Sequence, residues 1–253
     1  MNKKVLAVAT LVFLLFCLEF VAIAQQPFVV DKIEITGNVN VPTREILKAV
    51  GFKSGDTVDV GKVKAAAQAI EELGYFAKVT PELSVEDGKV VVRFKVVEYP
   101  KIERITLLGI PKPETKGGTL WAVLKEWFSS PRVSESRIRS ILKDHDIKPG
   151  QVLNRVHLEE ALKAVLEEYK KKDLATVQIG QVIPGKELVI EIQELPVLGH
   201  RFSGLSTVPE EAAAGLISVP CGEVGRYSQI QASLQRLASS VYFSSANVVP
   251  EVE

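Results

Sequence analysis

One pattern of residues recurs three times along this chain, and a chain built that way folds as a string of supersecondary units, not around a single large core. Each copy opens with a short apolar-alternating strand ending in glycine: Ile33-Glu34-Ile35-Thr36-Gly37, Ile105-Thr106-Leu107-Leu108-Gly109 and, more weakly, Arg201-Phe202-Ser203-Gly204. Each has a second glycine inside a turn (Gly55, Gly150 and Gly222), with an aromatic about 20 residues later: Tyr75-Phe76, Tyr169 and Tyr242-Phe243. Gly37 to Gly109 and Gly150 to Gly222 are both steps of 72 residues, whereas Ile46-Leu47 maps onto Ile141-Leu142 at 95. The second copy therefore carries an insertion of 23 residues, at about 110–132.

Within the first copy the periodicity switches in a readable order. Residues 28–36 alternate as a half-buried strand does. Pro42-Thr43 opens a short helix to Val50, with Ile46, Leu47 and Val50 at helical spacing, and Gly51 ends it. A second helix over 60–73 puts Val63, Ala66, Ala67, Ile70 and Leu73 on one face, before a capping Gly74. Residues 76–83 read as a strand, Asp87-Gly88 as a hairpin turn, and 90–98 as the most continuously apolar strand, which places it mid-sheet. The order is β-α-α-β-β. In the second copy the matching elements are a helix over 156–172 and strands over 175–183 and 187–193. The third copy is predicted to have helices at 209–216 and 228–237 and a strand from Val241, with the closing hairpin and central strand missing.

The ends and the composition bound the setting. Lys3-Lys4, an apolar run from Val5 to Leu18 and the small-x-small site Ala22-Ile23-Ala24 have the layout of a secretory signal peptide over 1–24. The alternative, a membrane anchor, needs roughly 20 apolar residues, and Glu19 interrupts a shorter run. The leader takes Cys17 with it, so Cys221 has no disulfide partner. An exported chain of this kind relies on apolar packing, for which 46% hydrophobic residues suffice. The whole chain has 31 residues of each charge, and loss of Lys3, Lys4 and Glu19 leaves 29 basic against 30 acidic. A nucleic-acid binder would show a basic excess or stripe, and none is present.

Four motifs carry a family resemblance: Ile-x-Ile-x-Gly-Asn at Ile33 to Asn38, Lys-x-Gly-Asp at Lys53 to Asp56, Leu-Gly-Tyr-Phe at Leu73 to Phe76, and Val-x-Glu-x-Pro at Val96 to Pro100. With the run at 239–248 they make the chain resemble the POTRA module of the Omp85 family of outer-membrane assembly and secretion proteins. The resemblance implies an α+β fold of tandem POTRA-like β-α-α-β-β modules, each a three-stranded mixed sheet covered by two helices. The modules would span 27–99, 101–196 with its insertion, and an incomplete 197–253. In that family such modules lie in the periplasm ahead of a C-terminal β-barrel, and this chain has none. It is then expected to be either a piece of a longer protein or a barrel-free relative, and a third module that stops mid-sheet favours the piece.

No catalytic constellation emerges. His145, His157 and His200 are scattered, Cys221 lacks a neighbour at metal-ligand spacing, and Gly117-Gly118 and Gly199 to Gly204 lack the context of a phosphate loop. Glu159-Glu160 and Glu167-Glu168 read as the wet face of a helix. Neither a cofactor nor a metal is expected, and no enzyme activity. The fold's resource is strand edge, to which an extended peptide can add as a further strand. By resemblance the open edge is the second strand: Ala77, Lys78, Val79 and Thr80 in the first module, and Thr176, Val177, Gln178 and Ile179 in the second. The alternative is that these edges only pack on neighbouring modules. In the insertion, Leu120, Trp121, Leu124, Trp127 and Phe128 fall on one helical face, as a partner or membrane-surface stripe or as a cover for a sheet.

The expected function is that of a periplasmic docking segment of an outer-membrane protein assembly factor. It would receive unfolded outer-membrane protein precursors and contact assembly-complex subunits, with membrane association through a barrel. The alternatives are a scaffold of two-partner secretion or another envelope complex that docks fixed partners without clients, and a hydrolase, which would need a clustered polar pocket.

Overall fold

The computed structural model of the protein describes residues 26–110 and 133–249. The leader at 1–24 and the stripe Leu120, Trp121, Leu124, Trp127 and Phe128 lie outside the described residues. The chain divides into two compact units: the first runs to Pro100 and includes Val152–Val156, and the second comprises Lys101–Gln151 and His157–Glu253.

In the first unit the elements are β1 (Phe28–Val29), β2 (Lys32–Thr36), α1 (Thr43–Val50), β3 (Thr57–Val58), α2 (Val60–Glu72), β4 (Phe76–Glu86) and β5 (Lys89–Glu98). The single strand expected over 28–36 is broken in two. Val30 is buried, donates to the Asp56 carbonyl at 3.0 Å and accepts from Gly55 N–H at 2.7 Å, which turns the chain away between β1 and β2. β1 instead pairs antiparallel with β3. The main sheet has the order β2-β5-β4, with β2 parallel and β4 antiparallel to β5, so it is mixed and β5 is central. Val92, Phe94 and Val96 of β5 are buried, and they share a core with Ile46 and Val50 of α1 and Val63, Ala66, Ala67 and Ile70 of α2. Asp59 caps α2, accepting from Lys62 N–H at 2.7 Å. The hairpin turns through Asp87 and Gly88 at φ 50° and 76°, a pair of left-handed residues whose twist suits the flanking strands.

The second unit repeats the scheme with β6 (Arg104–Leu108), α3 (Glu135–Asp144), α4 (Arg155–Lys171), β7 (Val177–Ile183) and β8 (Glu187–Glu194). The order is β6-β8-β7, again parallel then antiparallel about the last strand. Leu188, Ile190 and Ile192 of β8 are fully buried, as are Ala161 and Val165 of α4. The glycines that open each copy explain the shared architecture. Gly37 follows β2 at φ 92°, and a Cβ there would lie 2.1 Å from the Val96 carbonyl oxygen; Gly109 follows β6 at φ 75°, 2.0 Å from that of Ile192. Only a residue without a side chain lets the chain leave the parallel strand so close to the central one.

Glu98, at the end of β5, fixes the loop that follows Gly37. Its carboxylate accepts from the N–H groups of Val39, Asn40 and Val41 at 2.8–3.0 Å and from the Asn40 side-chain amide at 2.9 Å. Partial burial works to raise the carboxyl, but these donors outweigh it and hold it below its ordinary value.

The third copy lies in the second unit as α5 (Glu210–Ala214) and α6 (Tyr227–Ser239). The strands expected at 201–204 and from Val241 do not form, and Val241 is 94% exposed in a turn. A strand persists through its ladder bonds, and no central strand of this copy occurs among the described residues. The copy is held by the chain that flanks β7 and β8: Ala175 N–H donates to Gly225 (2.7 Å), Gly222 N–H to Val197 (2.8 Å) and Val197 N–H to Glu223 (2.8 Å). Arg226 supplies no side-chain cap to α6. The carboxylate of Asp173, 55 residues away, accepts from Ser228 N–H at 2.8 Å and from the Ser228 hydroxyl instead. Those two bonds hold the Asp173 carboxyl below its ordinary range.

Two predictions follow from these contacts. Gly37→Ala should cost more than about 2 kcal/mol, combining a left-handed backbone with a backbone clash, whereas Gly55→Ala, at φ 91° with nothing within 4 Å, should cost only about 1 kcal/mol; guanidinium unfolding separates them. Because the Glu98 carboxyl is depressed in the folded state, its stabilisation is present above the ordinary carboxylate pKa and is lost as pH falls through the folded value. Glu98→Gln should therefore lower stability by about 1–3 kcal/mol at neutral pH, and urea unfolding should show that gap closing as pH falls below the ordinary carboxylate range.

Candidate functional site

Each three-stranded sheet has its last strand in the middle, so the second strand is left at an edge: β4 in the first unit and β7 in the second. Which backbone groups point outward follows from the register. Asp31 N–H donates to the Val90 carbonyl at 2.9 Å, so the even-numbered residues of β5 turn their amides toward β2 and the odd-numbered ones toward β4. On β4, Lys78, Thr80, Glu82 and Ser84 face Val97, Lys95, Arg93 and Val91 and are spent on the inner ladder. Val79, Pro81, Leu83 and Val85 face Val96, Phe94, Val92 and Val90, and their backbone groups point to the open side.

The expected residues are placed as follows. Ala77, Lys78, Val79 and Thr80 lie on β4, with Ala77 at a register shift, and Val79 is the one among them whose backbone faces outward. Val177, Gln178 and Ile179 begin β7, and the register shifts again between Ile179 and Val182. Thr176 is outside the strand. Its hydroxyl donates to the Leu195 carbonyl at 2.5 Å and accepts from Gly225 N–H at 2.8 Å, so it serves a turn. β4 is longer than the sequence reading of 76–83: Ser84, Val85 and Glu86 continue its edge, and Leu83 and Val85 are 48% and 71% exposed on the helix-bearing side. The Asp-Gly turn marks the strand's far end, a signal that allows the extension.

The open face of the first sheet is closed by its own charges. Arg93 bridges Glu34 at 2.6 Å and Glu86 at 3.0 Å, Lys32 meets Glu34 at 2.7 Å, and Lys95 meets Glu82 at 2.8 Å. Lys32 and then Arg93 hold the Glu34 carboxyl below its ordinary value. Side chains so paired make a solvated surface, and the backbone edge is the chemically unfilled part of the sheet. Among the described residues there is no group of three His, Cys, Asp or Glu side chains that could hold a metal, and no helix is long and apolar enough to cross a membrane.

Comparison with known proteins agrees with this architecture. Residues 28–99 match the POTRA family, described as the surface antigen variable number repeat. The chain is 23% identical over 208 residues to the outer membrane protein assembly factor BamA of Nitratidesulfovibrio vulgaris. That match covers 78% of this chain and 23% of the relative, so the chain spans about a quarter of the relative's length. Among solved structures, the N-terminal domain of Omp85 from Thermosynechococcus elongatus aligns with a TM-score of 0.56 at 16% identity, covering 84% of this chain and 86% of that one. POTRA1-3 of the periplasmic domain of Omp85 from Anabaena aligns with a TM-score of 0.55 at 15% identity, covering 84% of both chains. These last two likenesses concern the fold. Residues 28–99 are thus similar to a POTRA module, and the chain shares the fold of the solved Omp85 modules.

Proposed function

We propose that this chain is a periplasmic polypeptide-docking segment of an outer-membrane protein assembly factor, and that it receives unfolded barrel precursors by strand addition to β4 and β7. The observation that carries the reading is the open edge of β4, where outward N–H and C=O groups of Val79, Leu83 and Val85 have no ladder neighbour among the described residues. Backbone bonding to such an edge is tolerant of sequence, which suits a receptor for many extended clients. The likeness to a protein named as an assembly factor supports the cellular setting, and the leader expected at 1–24 agrees with export. Subunits of an assembly complex are the second class of partner in this reading.

Titration of the isotope-labelled chain with synthetic peptides copied from outer-membrane barrel strands tests it. Amide shifts should concentrate on β4 and β7, with dissociation constants in the weak range of about 10 µM to 1 mM expected for short extended ligands. Silence on both strands with several such peptides would remove the client-binding role and leave a scaffold that docks fixed partners.

A further inference from the structure

Both open edges are interrupted, one rung apart. In β4 Pro81 stands opposite Phe94. In β7 the register slips after Ile179 and resumes at Val182, opposite Ile190. The opening glycines align Val96 with Ile192, so Phe94 and Ile190 are equivalent positions of the two central strands. Pro81 is one of the residues whose backbone nitrogen faces the open side, and it has no hydrogen to donate. In β7 the Gln181 N–H is taken by the Glu191 carboxylate at 3.1 Å. Side chains crowd the bulge: a Cβ on Gly180 would lie 2.7 Å from a Glu191 carboxylate oxygen and 2.8 Å from the Gln193 amide nitrogen. Two different devices therefore interrupt the two edges within one rung of each other, as edge strands do when long pairing must be prevented.

The gap divides β4 unequally. Toward its start, the register shift at Ala77 leaves Val79 as a single outward position. Toward the hairpin, Leu83 and Val85 are successive outward positions with both donor and acceptor available. Their exposed side chains border an added strand on the helix-bearing side, while Glu82, Ser84 and Glu86 border it on the other. Glu82 and Glu86 are the carboxylates nearest an added strand, 37% and 47% exposed; each meets a cation of β5 through one carboxylate oxygen, Lys95 at 2.8 Å and Arg93 at 3.0 Å, and the cation of β4 itself, Lys78, lies beyond the proline.

We propose that Pro81 is a stop that confines strand addition on β4 to Glu82–Glu86, and that this segment takes an extended peptide alternating apolar and basic side chains. The proposal rests on the strand-addition reading above and adds its position, length and chemistry. Apolar side chains of the peptide lie beside Leu83 and Val85, and basic ones beside Glu82 and Glu86.

The test titrates the isotope-labelled chain, its Pro81→Thr variant and its Leu83→Pro variant with a short peptide alternating valine and lysine. In the original chain, β4 shifts should be confined to 82–86. Pro81→Thr restores an outward donor, so the shifts should spread to Val79 and affinity should rise by roughly fivefold to tenfold, the equivalent of about one added hydrogen bond. Leu83→Pro removes an outward donor and leaves the inner ladder intact, so binding should be lost with the far-ultraviolet circular dichroism unchanged. A valine–glutamate peptide should bind several-fold more weakly. Shifts running through Ala77 to Glu86 in the original chain, or equal affinity of Pro81→Thr, would overturn the stop; equal binding of the valine–glutamate peptide would overturn the stated chemistry. No binding by either the original chain or Pro81→Thr would instead overturn strand addition itself, and the stop with it.

Discussion

The carbonyl of Val96 stands 2.1 Å from where a side chain on residue 37 would begin, and the carbonyl of Ile192 makes the same approach to Gly109. That contact sets how far the parallel strand runs along the central one. Once it is set, the register of β2 on β5 and of β6 on β8 follows, and with it which amides of the central strand turn toward the second strand. The outward groups of β4 are therefore decided by a glycine more than forty residues earlier. Glu98 reinforces the same point by gathering the three backbone N–H groups of the loop that leaves the glycine. Structure and candidate docking edge depend on one close approach between two backbones.

Much of this arrangement is legible in the residues themselves. Val92, Phe94 and Val96 read as a central strand because they belong to the most continuously apolar run of the copy, and they are buried there while Arg93 and Lys95 line the other face. Asp87-Gly88 reads as a tight turn and takes two left-handed residues. Other features depend on partners distant in sequence. Alternation over 28–36 does not reveal that Val30 bonds to the Gly55-Asp56 turn and splits the strand. Nor does the apolar character of Val241 and Tyr242 form a strand without a ladder to join. Thr176 has the composition of a strand residue, yet its hydroxyl is committed to Leu195 and Gly225. Pro81 is plain in the sequence, but its meaning requires the register, because a proline whose nitrogen faced inward would have broken the ladder with β5.

The two sheets spend their polar groups differently on face and edge. On the face, Arg93 and Lys95 are matched by Glu34, Glu86 and Glu82, so the face balances its own charge. Such exposed pairs contribute little to stability, on the order of 0–1 kcal/mol each, and they keep the surface in water. On the edge, backbone groups are left open, but in runs shortened by a proline or a bulge. A short run limits the affinity of any strand added there.

The cap on α6 has a consequence of another kind. Ser228 opens that helix, yet the acceptor for its N–H is Asp173, which ends a helix of the preceding copy in a left-handed turn. The repeat visible in the sequence is thus not the smallest piece that can be exchanged between chains. A copy moved to a new neighbour would bring its helix and leave its cap behind, unless the neighbour also placed an acidic or hydroxyl residue at that turn. Recombination of such modules should respect pairs, with the boundary falling inside a copy and not between copies.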